Sequence, residues 1–296
     1  MRTSRLVCVA AIASSLILPS VGHAQVVFSA TGPDPAGIQA TVDAFRSGLG
    51  TLNPNVSGSF GTGRREINWD GVPNLSAAPN AFPADFFNVN SPRGVLFSTP
   101  GSGFQVSASP GVVPEFDNIN PTYSSTFGVF SAPRLFTALG SNVVDVNFFV
   151  PGSTTPALSR GFGAVFTDVD LANATSISLF DATNTSLGTF FAQPLAGSET
   201  LSFIGVAFAM PVVSRVRIVS GTAALGAGVL DFPVGPDLAV LDDLVFGEPV
   251  GPGAVPEPAT LLLVAAGAAG FGLITRRRPS ARRGRDGRLS SPLSGA

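Results

Sequence analysis

The side chains able to do chemistry in this 296-residue chain are almost all carboxylates. There is no Lys, the one Cys is Cys8 and the one His is His23. The densest constellation is Gly63-Arg64-Arg65-Glu66-Ile67-Asn68-Trp69-Asp70-Gly71, which sets Glu66 and Asp70 around the only Trp. Two carboxylates are enough for glycoside hydrolysis without an imidazole, and an indole can stack on a sugar ring. The other reading makes Trp69 a core plug beside an Arg–carboxylate network. In it, Arg64 and Arg65 stabilise the charged form of Glu66 and move its pKa away from what a general acid needs. Both readings stand for Trp69, Glu66 and Asp70 as ligand candidates. Glu115 and Asp117 form a similar pair, and Asp168/Asp170 and Asp242/Asp243 complete the acidic inventory.

Much familiar chemistry is excluded by what is missing. Cys8 and His23 both fall in residues 1–24, which read as a removable leader: Arg2 and Arg5 open it, residues 6–18 are apolar, and Gly22-His23-Ala24 supplies the small residues of a cleavage site. Cleavage by signal peptidase leaves no thiol, imidazole or amine side chain, which removes Cys and Lys nucleophiles, Ser-His dyads and His-ligated zinc. Phosphate-loop, zinc-finger and EF-hand spacings are absent as well. No catalytic residue is assigned, and the expectation is a protein that is not an enzyme. Residues 25–254 hold eight of the 17 Arg and 17 of the 19 acidic residues, a balance near −9. Such a body has no basic face for nucleic acid and suits a divalent cation.

The elements that must position these side chains are mostly strands. One helix is expected, capped by Asp34, started by Pro35, with Ile38, Val42, Phe45 and Leu49 at helical spacing and Gly48 and Gly50 at its end. Residues 25–102 therefore read as this helix followed by loops and short strands, and residues 103–247 as a β-sandwich. Strands are predicted at 104–107, 126–130, 143–150, 163–167, 176–180, 188–191, 201–208, 215–220 and 239–246. Arg215 and Arg217 alternate with Val216 and Ile218, as in a strand half in water, whereas 203–208 reads as buried on both faces. The 24 Phe supply the core volume. Residues 248–254, rich in Pro and Gly, read as a linker.

Residues 161–170, the strand-turn-strand around 181–188 and a last strand bearing Asp242-Asp243 resemble lectin-like and carbohydrate-binding jelly rolls. That resemblance implies a jelly-roll sandwich, a structural calcium held by an acidic residue of the last strand with loop oxygens, and exopolysaccharide as the partner of the body. Asp168, Asp170, Asp242 and Asp243 are its matching metal candidates. They also fit turn and strand-end residues that bond their own backbone. The cluster of exposed Trp and Tyr typical of sugar platforms is missing. The block around Trp69 resembles uncharacterised exported bacterial proteins, a likeness that brings no activity.

The C-terminal end is the most specific part of the chain. Pro256, Glu257 and Pro258 precede the apolar stretch 259–274, then Arg276, Arg277 and Arg278, with more Arg in the 279–296 tail, which reads as disordered and basic. A Pro-bounded start, an Ala/Leu/Gly helix of about 16 to 17 residues and an Arg stop describe a transmembrane helix with a cytoplasmic basic end. Residues 255–278 resemble the PEP-CTERM sorting signal of Gram-negative bacteria. The resemblance implies recognition by exosortase, a membrane cysteine protease thought to act as a transpeptidase, with transient anchoring in the inner membrane. The expected protein is mainly β with one N-terminal helix and a C-terminal transmembrane helix. It is exported, processed by exosortase and delivered to the cell surface or extracellular matrix. A secreted glycan-active hydrolase using paired carboxylates is the alternative.

Overall fold

A computed structural model describes residues 24–108, 115–251 and 253. The expected leader except Ala24, part of the expected linker, the sorting signal with the helix predicted at 259–274, and the tail predicted to be basic and disordered lie outside the described residues. Among those described, no helix is long and apolar enough to cross a membrane.

The chain folds into two antiparallel sheets, as the mainly-β expectation requires. The larger has seven strands: β1 (Gln25–Gly32), β2 (Arg64–Ile67), β4 (Gly103–Val106), β5 (Phe136–Leu139), β7 (Gly161–Thr167), β10 (Leu201–Phe208) and β12 (Val240–Gly247). Its order is β1-β10-β7-β12-β5-β4, with β2 also paired to β12. The smaller sheet runs β3-β6-β11-β8-β9, from β3 (Val95–Ser98), β6 (Val143–Phe148), β8 (Ser176–Phe180), β9 (Ser186–Phe191) and β11 (Arg215–Val219).

Alternation along the strands decides what each face buries. Phe162, Ala164 and Phe166 of β7, Ile204 and Val206 of β10 and Leu244 and Phe246 of β12 enter the core between the sheets. Val165, Leu201, Phe203 and Val245 point the other way and are covered by α1 (Pro35–Leu49) through Ile38, Val42, Phe45 and Leu49. Residues 203–208 are thus buried on both faces for two reasons, the sandwich on one side and the helix on the other. Asp34 caps α1 by accepting from the Gly37 N–H at 3.1 Å, and Gly50 closes it with φ 100°. Gly163 and Gly205 are directly paired across β7 and β10 beneath Phe45. A Cβ on Gly163 would stand 2.7 Å from the Phe45 ring, so these glycines make the notch that lets the helix sit close.

Four expectations are corrected. Residue 102 is no boundary: β1, β2 and β3 come from 25–102 and are built into both sheets, since their strand partners β10, β12 and β6 all lie beyond it. The strand predicted at 126–130 is irregular backbone after a short 3-10 turn (Tyr123–Ser125). Its N–H groups go elsewhere, Gly128 to the Thr167 hydroxyl at 2.9 Å and Phe130 to Asp242 Oδ2 at 2.6 Å. The linker does not begin at 248. Glu248 and Val250 are 2% and 1% exposed, and Val250 exchanges both backbone hydrogen bonds with Leu158. Strands β1 and β5 were not expected, and β2 and β3 lie in a stretch read as loops and short strands without assigned positions; β1 is an edge strand with Val26 and Val27 exposed.

Candidate functional site

Strand β12 organises the carboxylates. Leu241 pairs with Phe166 and Leu244 with Ala164, so β12 carries one more residue than β7 across this stretch. The bulge lets consecutive Asp242 and Asp243, which would point to opposite faces of a regular strand, both reach Ser131. The Ser131 hydroxyl lies 3.2 Å from Asp242 Oδ1 and 2.7 Å from Asp243 Oδ1. Asp242 also accepts from the N–H groups of Phe130 and Ser131 at 2.6 and 3.2 Å. Asp243 is bridged by Arg46 of α1 at 3.1 Å, and Arg46 holds Glu66 of β2 in a two-pronged contact at 2.9 and 3.1 Å. Arg64 adds a third contact to Glu66 at 2.6 Å. Burial and the neighbouring Asp243 push the Asp242 carboxyl well above the ordinary range. Asp243 is pushed up by burial and pulled back by Ser131 and Arg46. Asp70 is also raised, by burial above all; its carboxylate accepts from the Arg134 N–H at 3.3 Å.

Beside this network opens a polar cleft of about 410 Å³, lined by amides from Gln39, Asn53, Asn55 and Asn68 and by Arg93 and Phe130. Arg93 has no salt-bridge partner among the described residues. Burial and the nearby Arg65 lower its pKa to about 10, so it stays cationic at neutral pH.

Trp69 does not face that cleft as a platform, and that reading is corrected. It is 1% exposed, stacked on Phe136 at 4.1 Å with an interplanar angle of 1°, and flanked by Phe82, Phe87 and Phe97. Its indole N–H donates to the Asp242 carbonyl at 2.5 Å. The ring faces are occupied by other rings and the polar edge by backbone, so Trp69 is the core plug. Arg65 does not serve Glu66. It is fully buried and grips Glu248 through Nε at 2.7 Å and Nη2 at 2.9 Å, while Nη1 donates to the carbonyls of Pro54 and Pro92. Asp117 receives the Ser124 N–H and hydroxyl, both at 2.9 Å, and burial raises Glu115.

The four metal candidates do not converge. Asp242 and Asp243 belong to the Arg46 network, because the bulge turns them toward α1 and Ser131. Asp168 and Asp170, just past the end of β7, instead meet Asp231, and carboxylate oxygens from these three lie within 4.8 Å of one another. Asp237 is next to them and accepts from the Asp170 and Leu171 N–H groups at 3.0 and 3.4 Å. Asp231 and Asp237 were missed in the sequence. Their only signal is a turn-rich setting among Pro233, Gly235 and Pro236. Arg46 and Ser131 were missed too, one read only as a helix residue and the other unremarked.

Residues 254–278 match the PEP-CTERM protein-sorting motif family. No curated protein matches the chain. The chain therefore carries a PEP-CTERM protein-sorting motif at 254–278, which supports its handling as an exosortase substrate.

Proposed function

We propose that the body of this exosortase-processed protein is a non-catalytic β-sandwich that takes its place at the cell surface or in the extracellular matrix and associates there with exopolysaccharide. The observation that carries the processing is the sorting motif at 254–278. Support for a binding role comes from the cleft beside Arg93. Amide side chains offer paired donors and acceptors to sugar hydroxyls, and a guanidinium without a carboxylate partner suits a uronate or other acidic sugar. Support for the absence of turnover comes from the neighbouring carboxylates. Glu66 is clamped by Arg46 and Arg64, which occupy its carboxylate oxygens, and Asp242 is fully buried behind Ser131 and Phe130.

Incubating the protein with acidic and neutral bacterial polysaccharides, then measuring both retention and new reducing ends, tests this reading. Retention of an acidic polymer, weakened about tenfold or more by Arg93→Ala and lost at high salt, is the expected result. Released reducing ends that disappear in Glu66→Gln would replace it with the hydrolase alternative.

A further inference from the structure

We propose that Asp168, Asp170 and Asp231 form a calcium site at the end of the seven-stranded sheet, where the loops at 168–175, 192–200 and 220–239 meet. Three carboxylates alone would not make a site. What singles this group out is Asp168: its side chain is fully buried, and neither carboxylate oxygen accepts a hydrogen bond from any described residue. A buried carboxylate left in that state is costly unless a cation or a proton answers it. One of its oxygens stands within 4.8 Å of oxygens from Asp170 and Asp231, which have no proton to donate when ionised.

Neighbouring backbone orients the other two carboxylates. Asp170 uses Oδ1 to accept from the Gly197 N–H at 2.8 Å, and Asp231 uses Oδ1 to accept from the Leu238 N–H at 3.0 Å. Each offers one oxygen to the cluster. Asp237 spends both oxygens on the backbone of Asp170 and Leu171 and acts as the support that orients the Asp170 loop. The strongest charges acting on Asp168 are those of Asp231, Asp170 and Asp237, all of one sign, and they join burial in pushing its carboxyl up to about 9 when no ion is present. An oxygen-to-oxygen span within 4.8 Å admits an ion about 2.4 Å from each ligand, a distance calcium takes. The donors are all hard oxygens, which disfavours softer metals. This inference is independent of exosortase processing and of polysaccharide binding.

The test uses the full chain in detergent, stripped with EGTA, desalted and titrated with CaCl₂ at pH 7.5. Calorimetry should show one ion per chain with half-saturation between about 10 µM and 1 mM, and saturating calcium should raise the melting temperature by about 3–10 °C. MgCl₂ should do less. Asp168→Asn should weaken binding at least tenfold while folding normally, because Asn adopts the left-handed backbone that Asp168 holds at φ 67°. Asp231→Asn is the second disabling variant, and Asp43→Asn, on the exposed face of α1, should bind like the parent. Absence of heat and of any melting shift in the stripped parent would overturn the proposal and leave Asp168 a protonated acid hydrogen-bonded to Asp231. Undiminished calcium binding in both Asp168→Asn and Asp231→Asn would overturn it equally.

Discussion

The two acidic clusters reached by β12 have the same side-chain chemistry and opposite electrostatic solutions. At the bulge, Asp242, Asp243 and Glu66 are met by Arg46, Arg64, Ser131 and two backbone N–H groups, so the chain supplies its own counter-charge. Where β12 begins, Asp168, Asp170, Asp231 and Asp237 repel one another, and Asp168 receives no donor at all. A carboxylate cluster with its own guanidinium is a structural joint. One left without it needs something from solution, a proton or a metal ion.

The sharpest way to break the contrast is to remove the guanidinium from the closed cluster. Arg46→Ala strands Asp243, whose side chain is 3% exposed, and leaves Glu66 to Arg64 alone; unfolding in denaturant should show a loss of about 2–4 kcal/mol, discounted from a fully buried pair because Arg46 is 19% exposed. If stability is unchanged, Ser131 alone satisfies Asp243 and the two clusters are less different than the ion pairs indicate.

A second comparison uses pH. In the native state Asp168 is raised from 3.8 to about 9. The folded protein therefore holds a proton that the unfolded chain has released across that window. Stability from this group is full below the unfolded value and is lost as pH rises through the folded one. Burial pushes Asp231 and Asp237 the same way. Metal-free protein should melt at progressively lower temperature between about pH 5 and pH 9, and Asp168→Asn should reduce that slope. Calcium should flatten it as well, because binding requires the deprotonated acid. A flat slope or one of opposite sign would mean that Asp168 does not hold its proton in the metal-free protein.

The smallest effect is expected at Glu66. Glu66→Gln keeps the shape, and Arg46 keeps Asp243, so the loss should be about 0.5–1.5 kcal/mol by thermal melting. A larger loss would make Glu66 the centre of the network and Asp243 its dependent.

The contrast between the clusters could not be read from the sequence, although its parts could. Helix α1 was legible to the residue, because its cap and its apolar spacing are local signals, and so were β8 and β10, whose β-branched and Phe-rich runs end at clear turns. Edge strand β1 and the short β2 and β3 were hidden: what makes them strands is a partner far along the chain. The core-plug reading of Trp69 was open to the sequence, because nothing there fixes Glu66 and Asp70 at a catalytic separation around it. The ligand sets were harder. Asp242 and Asp243 look like a metal pair on paper, and only the extra residue in β12 aims both at Ser131 and leaves Arg46 to close the site. Asp231 joins Asp168 through a fold contact spanning β8 to β11, which no spacing rule encodes. The sorting motif was fully legible, because a membrane machinery reads it as sequence.

The position of β12 has a mechanical side. Anything that grips the mature chain through the residues beyond Val250 draws on β12, which is bonded to β7 on one side and to β5 and β2 on the other. Glu248, clasped by buried Arg65, and Val250, bonded to Leu158, stand first in the line of force. Tension from that end must shear several strands together. Tension from the N-terminal end would meet β1, bonded to β10 alone, and could unzip it one pair at a time. A body tethered at its C-terminus is thus held by the end of the sheet best able to resist flow and drag.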